Sequence, residues 1–299
     1  MDRVLRRTFL AAALPVQSPP VPIIDTHIHL FDPTRPQGVP WPPKTNSLIY
    51  KPTLPDRYRK LTEPLGIKGA IYVECSPWVE DNDWVLDIAQ KDTMMVGVVG
   101  NLEPGKPEFA KHLARLHKSP LFLGIRFGYL WGRSLSAELP KPEFISGLKD
   151  FASAGLELDT VGPNRIVEDV LRLTDKVPSL RIVIDHLPHN DPPPETAGLR
   201  ELAKRTQVYL KISEVLRKVG DRVPHDLAFY RDRLDLFWDV FGPDRLVYGS
   251  DWPNSDPMGT YEQVLGIVRE YFNAKGREAT EKFFWKNSQA AYRWIKRTG

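Results

Sequence analysis

The sequence predicts an α/β protein, a single-domain (β/α)8 TIM barrel, and three observations predict it. Eight short apolar runs alternate with helical patterns along 299 residues. Such alternation implies a parallel sheet, and eight units over about 250 residues are enough to close a barrel. No glycine-rich phosphate turn follows the first run, where an open doubly wound sheet would carry one. Polar residues also gather at the C-terminal ends of the runs, where barrels of this kind place their sites.

The first run lies within residues 21–32, VPIIDTHIHLFD. Alternate side chains of a strand point to opposite faces, so Asp25, His27 and His29 are expected on one face. Ile24, Thr26, Ile28 and Leu30 are expected on the other. A long proline-rich connection follows, residues 33–55, with Trp41, Asn46 and Tyr50. A connection of this length in a compact domain is usually functional. A helix over 56–65 then leads to GAIYVECS (69–76), one over 82–91 to MMVGVVGNLE (94–103), and one over 107–118 to LFLGIRFG (121–128). A helix over 142–153 precedes GLELDTVG (155–162). The stripe Ile166, Val167, Val170, Leu171 and Leu173 marks a helix over 164–176. Next come LRIVIDHLP (180–188), a helix near 196–205, VYLKIS (208–213) and an amphipathic helix over 226–241 stopped by Gly242-Pro243. RLVYGSD (245–251) is the eighth run, and helices over 261–274 and 280–295 complete the chain.

Composition narrows the function. The net charge of +3 and the lack of a long basic run argue against a nucleic-acid partner. The single cysteine, Cys75, excludes an internal disulfide and a cysteine-rich zinc site, and it reads as a packed small side chain. Residues 1–20 (MDRVLRRTFLAAALPVQSPP) have the pattern of a twin-arginine export signal, with Arg6-Arg7 before a short apolar stretch. That stretch is too short to cross a bilayer, and no other segment approaches a membrane span. Residues 21–299 are then the catalytic barrel, periplasmic or exported if the leader acts and cytoplasmic otherwise. A homo-oligomer stays open.

The strand ends carry His27 and His29, Glu74, Asn101 and Glu103, Arg126, Glu157 and Asp159, Asp185 and His186, Lys211 and Asp251 in turn. Each alone reads as a residue that begins a loop; eight strands ending this way read as one site. DTHIHLFD, IYVECS, GIRFG, VIDHLP, LKIS and YGSDWP together resemble the amidohydrolase superfamily, and its amidohydrolase-2 branch with sugar and aromatic-derived lactonases most of all. The pairing of HxH on strand one with GSDWP on strand eight is the specific part.

The resemblance implies a hydrolase that opens a cyclic ester of a sugar acid or an aromatic-derived carboxylic acid, a small-molecule substrate. It implies a divalent metal, zinc above all, on His27 and His29 with His186 or Asp251. Asp251 takes the role of general base, with His186 also catalytic. Arg126, Lys211, Glu74 and Trp41 are the expected substrate-binding residues, Arg126 by a bidentate grip on a carboxylate. One departure matters: the fifth strand, GLELDT, lacks the histidine that many metal-dependent members carry there. A metal-free site therefore stays open, with the histidines bonding the developing oxyanion. So do a non-oxidative decarboxylase on the same barrel and a non-catalytic binding protein. Retention of both histidines and Asp251 argues against the binder.

Overall fold

A computed structural model describes residues 19–187 and 190–297. The leader pattern of residues 1–20 lies almost wholly outside the described residues, as do Pro188 and His189. Eight strands form one sheet in sequence order, each parallel to the next: β1 (Ile23–Ile28), β2 (Ile67–Val73), β3 (Met95–Gly100), β4 (Phe122–Arg126), β5 (Glu157–Thr160), β6 (Arg181–Ile184), β7 (Val208–Ile212) and β8 (Leu246–Tyr248). All eight expected runs are strands of the one barrel.

The helices between them are α1 (Pro55–Thr62), α2 (Asp81–Lys91), α3 (Phe109–Leu116), α4 (Leu135–Glu138), α5 (Pro142–Ser153), α6 (Ile166–Lys176), α7 (Thr196–Ala203) and α8 (Leu227–Phe241), with α9 (Tyr261–Ala274), α10 (Arg277–Glu281) and α11 (Asn287–Tyr292) after β8. α5 and α9 occupy the expected residues. Pro142 opens α5 where a missing N–H costs nothing, and a Thr260–Gln263 capping box opens α9. The single-turn α4 has no apolar periodicity to announce it; the Ser134 side chain accepts from Ala137 N–H and caps it. The last expected helix is broken into α10, a π-helical turn Lys282–Lys286, and α11. That turn lets the adjacent Phe283 and Phe284 both lie buried against Tyr248, which a regular helix spaces less well.

The barrel closes between β1 and β8. Asp251 N–H donates to His27 O at 2.9 Å, His29 N–H to Trp252 O at 2.8 Å, and Thr26 Oγ1 to Tyr248 O at 2.6 Å. Gly249 permits this seam: a Cβ there would lie 2.8 Å from His27 Cβ and 3.0 Å from Lys211 Cδ. The strict alternation expected of β1 fails at this place. Its register shifts between Asp25 and Ile28, so Ile24 joins the interior cluster while Asp25 turns outward. There Asp25 accepts from Tyr58 (2.9 Å) and Tyr261 (2.8 Å), which arrive from α1 and α9, and from Ser250 N–H (2.8 Å). Asp25 thus leaves the face it was expected to share with the histidines and ties the seam to the helical layer.

Inside, Ile24, Ile71, Val73, Val96, Val99, Leu123, Val183 and Val247 pack with Ala291, Tyr292 and Trp294. The segment around α11 thereby plugs the lower end of the barrel, as interior layers of branched side chains require something to pack on. Tyr292 reaches farther up and donates to Asp159 Oδ1 at 2.8 Å. We expect Tyr292→Phe to destabilise the protein by about 1–3 kcal/mol, since it strands a buried carboxylate oxygen. Equilibrium urea unfolding measures this, and an unchanged midpoint would show that the hydroxyl adds nothing.

Candidate active site

Asp251, His27, His29 and His186 meet at the C-terminal mouth of the barrel. His29 Nε2 lies 3.0 Å from Asp251 Oδ1, His27 Nε2 3.3 Å and His186 Nε2 4.0 Å from the same oxygen. Asp251 Oδ2 accepts from Asn254 Nδ2 at 2.7 Å. His186, Glu214 and Asp251, close after β6, β7 and β8, all have left-handed backbones, with φ of 61°, 49° and 60°. Non-glycine residues held this way cost roughly 1–3 kcal/mol each and cluster at functional sites. The strain here aims three side chains at one point.

The electrostatics under the mouth is a buried network. Lys211 Nζ lies 2.7 Å from Asp159 Oδ2, 2.9 Å from Asp185 Oδ1 and 3.3 Å from His27 Nδ1. Burial works against the lysine charge, but the two carboxylates outweigh it and raise its pKa. Burial would also raise Asp185, yet Lys211 and His27 hold it well below the usual carboxylate range. His27 is pushed well below its ordinary value, by burial first and then by Lys211, so its ring is neutral. Asp159, mainly through burial, is raised to about 6. Burial acts to raise Asp251 too, but His186 and the hydrogen bond with His29 hold it well below the ordinary value. Asp251 is ionised.

The donor set fits a divalent metal. His29 Nδ1 lies 2.8 Å from Val73 O, and a carbonyl only accepts, so Nδ1 carries the hydrogen. The Nε2 lone pair of a neutral His29 then faces Asp251 Oδ1, a second acceptor 3.0 Å away. Two acceptors at that distance need a proton or a cation between them. His27, His29 and Asp251 offer donor atoms all within 4.8 Å of one another, and so do His186, Glu214 and Asp251. Two donors on one tetrahedral zinc, each about 2.0–2.2 Å from it, sit roughly 3.4 Å apart. Fixing one ring nitrogen by a hydrogen bond to present the other is the usual setting of a metal-ligating histidine.

Above these groups is a cavity of about 430 Å³, within the range of small-ligand sites. Trp41 and Arg126 line it as expected, Trp41 with its ring edge-on to His29 at 5.4 Å between centroids. Two expected substrate contacts do not line it. Lys211 is fully buried beneath His27, committed to its carboxylates. Glu74 is also buried, drawn under the mouth by Arg126, Arg133 and the Trp131 indole. One edge of the Arg126 guanidinium is engaged within the protein: its Nε donates to Glu74 Oε1 at 3.2 Å and its Nη2 to Glu74 main-chain O. Sequence reasoning missed Glu214, Asn190, Asn254 and Trp131, which all line the cavity. Asn254 sits just past GSDWP and could have been included; nothing in the sequence marks the left-handed turn that presents Glu214.

The chain is similar to known proteins over most of its length. Residues 24–294 match the family model described as amidohydrolase. The L-fucono-1,5-lactonase of Burkholderia ambifaria is 29% identical over 247 residues, 80% of this chain and 82% of the relative. The 4-sulfomuconolactone hydrolase of Rhizobium radiobacter is 26% identical over 279 residues, 83% of this chain and 82% of the relative. Among solved structures, an amidohydrolase from Burkholderia multivorans with bound zinc shares the fold at a TM-score of 0.80 and 22% identity, covering 91% of this chain and 99% of its own.

Protein stripped of divalent ions should show the His29–Asp251 pair in its stability. Burial alone would lower His29, but Asp251 raises it to about 10 from its ordinary 6.5. A group whose folded pKa is raised stabilises fully below its unfolded value and loses that contribution as pH climbs through the folded one. The melting temperature of the chelated protein should therefore fall between pH 6.5 and about 10, and His29→Gln should flatten the slope. Equal slopes in parent and variant would exclude the pair as its source.

Proposed function

Since this chain belongs to the amidohydrolase family, we propose that it is a hydrolase that opens the ring of a lactone, with Asp251 as general base. One observation carries the reading: an ionised carboxylate, ringed by three histidines, lies at the floor of a small-molecule cavity. The lactonase and lactone hydrolase among its relatives support the cyclic-ester class.

In this mechanism Asp251 accepts a proton from water as the water oxygen adds to the lactone carbonyl. The protonated carboxyl then gives that proton to the ring oxygen as the carbon–oxygen bond breaks, and a hydroxy acid leaves. The low pKa of Asp251 keeps it ionised before attack, the state the first step needs. Asn254 orients the carboxylate through Oδ2. His186, held by Ser213 Oγ at 2.8 Å, stands where it can donate to the developing oxyanion. Trp41 walls the cavity beside His29. A divalent metal, zinc in this reading, would be held by His27, His29 and Asp251 with His186 at hand, and when bound it polarises the carbonyl and lowers the pKa of water. The Arg6-Arg7 pattern supports export as the companion reading of location.

Asp251→Asn should lower kcat by about 10²–10⁴-fold while circular dichroism shows an intact fold, because the amide keeps the shape and cannot take the proton. Zinc content measured on the same samples separates loss of the base from loss of a ligand. His27→Ala should empty the metal position and lose activity that added zinc or manganese partly restores. A fully active Asp251→Asn enzyme would end the assignment.

A further inference from the structure

The cavity is short of available positive charge. Among the described residues, Arg126 is the one lysine or arginine that lines it, and each of its three nitrogens has a partner within the protein. Nε donates to Glu74 Oε1 at 3.2 Å, Nη2 to the main-chain oxygen of Glu74, and Nη1 points to His27 Nε2 at 3.4 Å. A carboxylate is gripped in a fork by two parallel N–H groups; of the two guanidinium edges that offer such a pair, Nε–Nη2 is engaged by Glu74, and Nη1 of the other faces His27. Nor can Glu74 swing away: Trp131 Nε1 donates to its Oε2 at 3.0 Å, Ser76 N–H to the same oxygen at 3.1 Å, and Arg133 Nη2 to Oε1 at 3.4 Å. Arg133 is itself committed to Asn101 Oδ1 at 2.7 Å.

The wider balance points the same way. Among the described residues at and beneath the mouth, the cations Arg126, Arg133 and Lys211 are outnumbered by the carboxylates Glu74, Asp159, Asp185, Glu214 and Asp251. A divalent ion would bring this set to neutrality and leave nothing over for an anionic ligand. The groups that do line the cavity are suited to a ring with hydroxyls: the indoles of Trp41 and Trp131, the amides of Asn190 and Asn254, and the carboxylate of Glu214.

We propose that Glu74 is a specificity determinant: it occupies Arg126 with an internal carboxylate and so restricts the cavity to uncharged, polyhydroxylated lactones, excluding those that carry a carboxylate or sulfonate. The inference rests on the lactonase reading of the same site and narrows its substrate. Glu74 acts through Arg126 and is a positioning residue.

The test pairs a neutral aldono-1,5-lactone with the same ring bearing a carboxylate at its exocyclic carbon, assayed for kcat/KM with the zinc-loaded enzyme. Calorimetry on the two corresponding lactams gives affinity without turnover. The neutral member should be favoured by about 100-fold or more in both measurements, as burying like charges together costs several kcal/mol. Glu74→Gln, which keeps the shape and removes the internal negative charge beside Arg126, should narrow the gap about 10-fold or more by tightening the carboxylated lactam. Equal or tighter binding of the carboxylated lactam by the parent overturns the proposal, and so does a folded Glu74→Gln enzyme with the parent's preference. Should that variant fail to fold, the parent's lactam pair decides. Turnover that favours the anionic lactone sinks the charge selection and leaves the lactonase reading standing. No turnover of either lactone, with the neutral lactam still preferred, does the reverse.

Discussion

The seam between β1 and β8 is the constraint on which the rest of the molecule depends. The main-chain oxygen of His27 accepts from the N–H of Asp251, so the bond that closes the barrel also sets a histidine beside the carboxylate. The next bond, His29 N–H to Trp252 O, does the same for the second histidine. Closure and site assembly are one event. Strand closure in a barrel demands a fixed stagger, and a slip of one residue here would turn His27 or Asp251 away from the mouth. Asp25 guards against that slip by binding Ser250 N–H on one side and two tyrosines of the helical layer on the other.

Beneath the seam the protein holds charge where an ordinary barrel holds only branched apolar side chains. Lys211, Asp159 and Asp185 are completely buried, or within 1% of it. Breaking such a set by removing one member is costly, because the others are left uncompensated. The network keeps His27 neutral from below, while Glu74 and Arg126 hold each other at its side. Glu157, deeper still, is pushed well above its ordinary pKa by burial first and then by the charge of Asp159 beside it. It is the neutral end of a charged column.

Much of this was legible in the residues. Alternation of apolar runs and helical stripes located all eight strands, since each must be buried on both faces and its sequence shows it. The HxH pair and GSDWP could be joined across the chain because strands one and eight of a closed barrel are neighbours. What could not be read has physical reasons. The irregularity in β1 that turns Asp25 outward depends on Tyr58 and Tyr261, which no local pattern connects to it. Lys211 and Arg126 look alike as basic residues at strand ends, and only the third dimension shows one buried under a histidine and the other spent on Glu74. Glu214 owes its place to a left-handed backbone that is unfavourable for its residue type, so propensity argues against it. The fate of the twin-arginine pattern lies outside the described residues.

Tyr292 carries a consequence for biosynthesis. The hydroxyl that completes Asp159 comes from α11, and the segment that closes the barrel comes only shortly before it. His29 must wait for Asp251, 222 positions later; at translation speeds of about 5–20 residues per second that is roughly 10–45 s on the ribosome. During that wait the two histidines, Lys211 and the carboxylates emerge into water as a half-built, splayed sheet whose first strand has no partner on one edge. Nascent chains of this protein therefore present one unpaired edge of β1 for most of elongation, a template for pairing with another chain, so a stalled ribosome would leave an aggregation-prone fragment rather than a smaller working barrel.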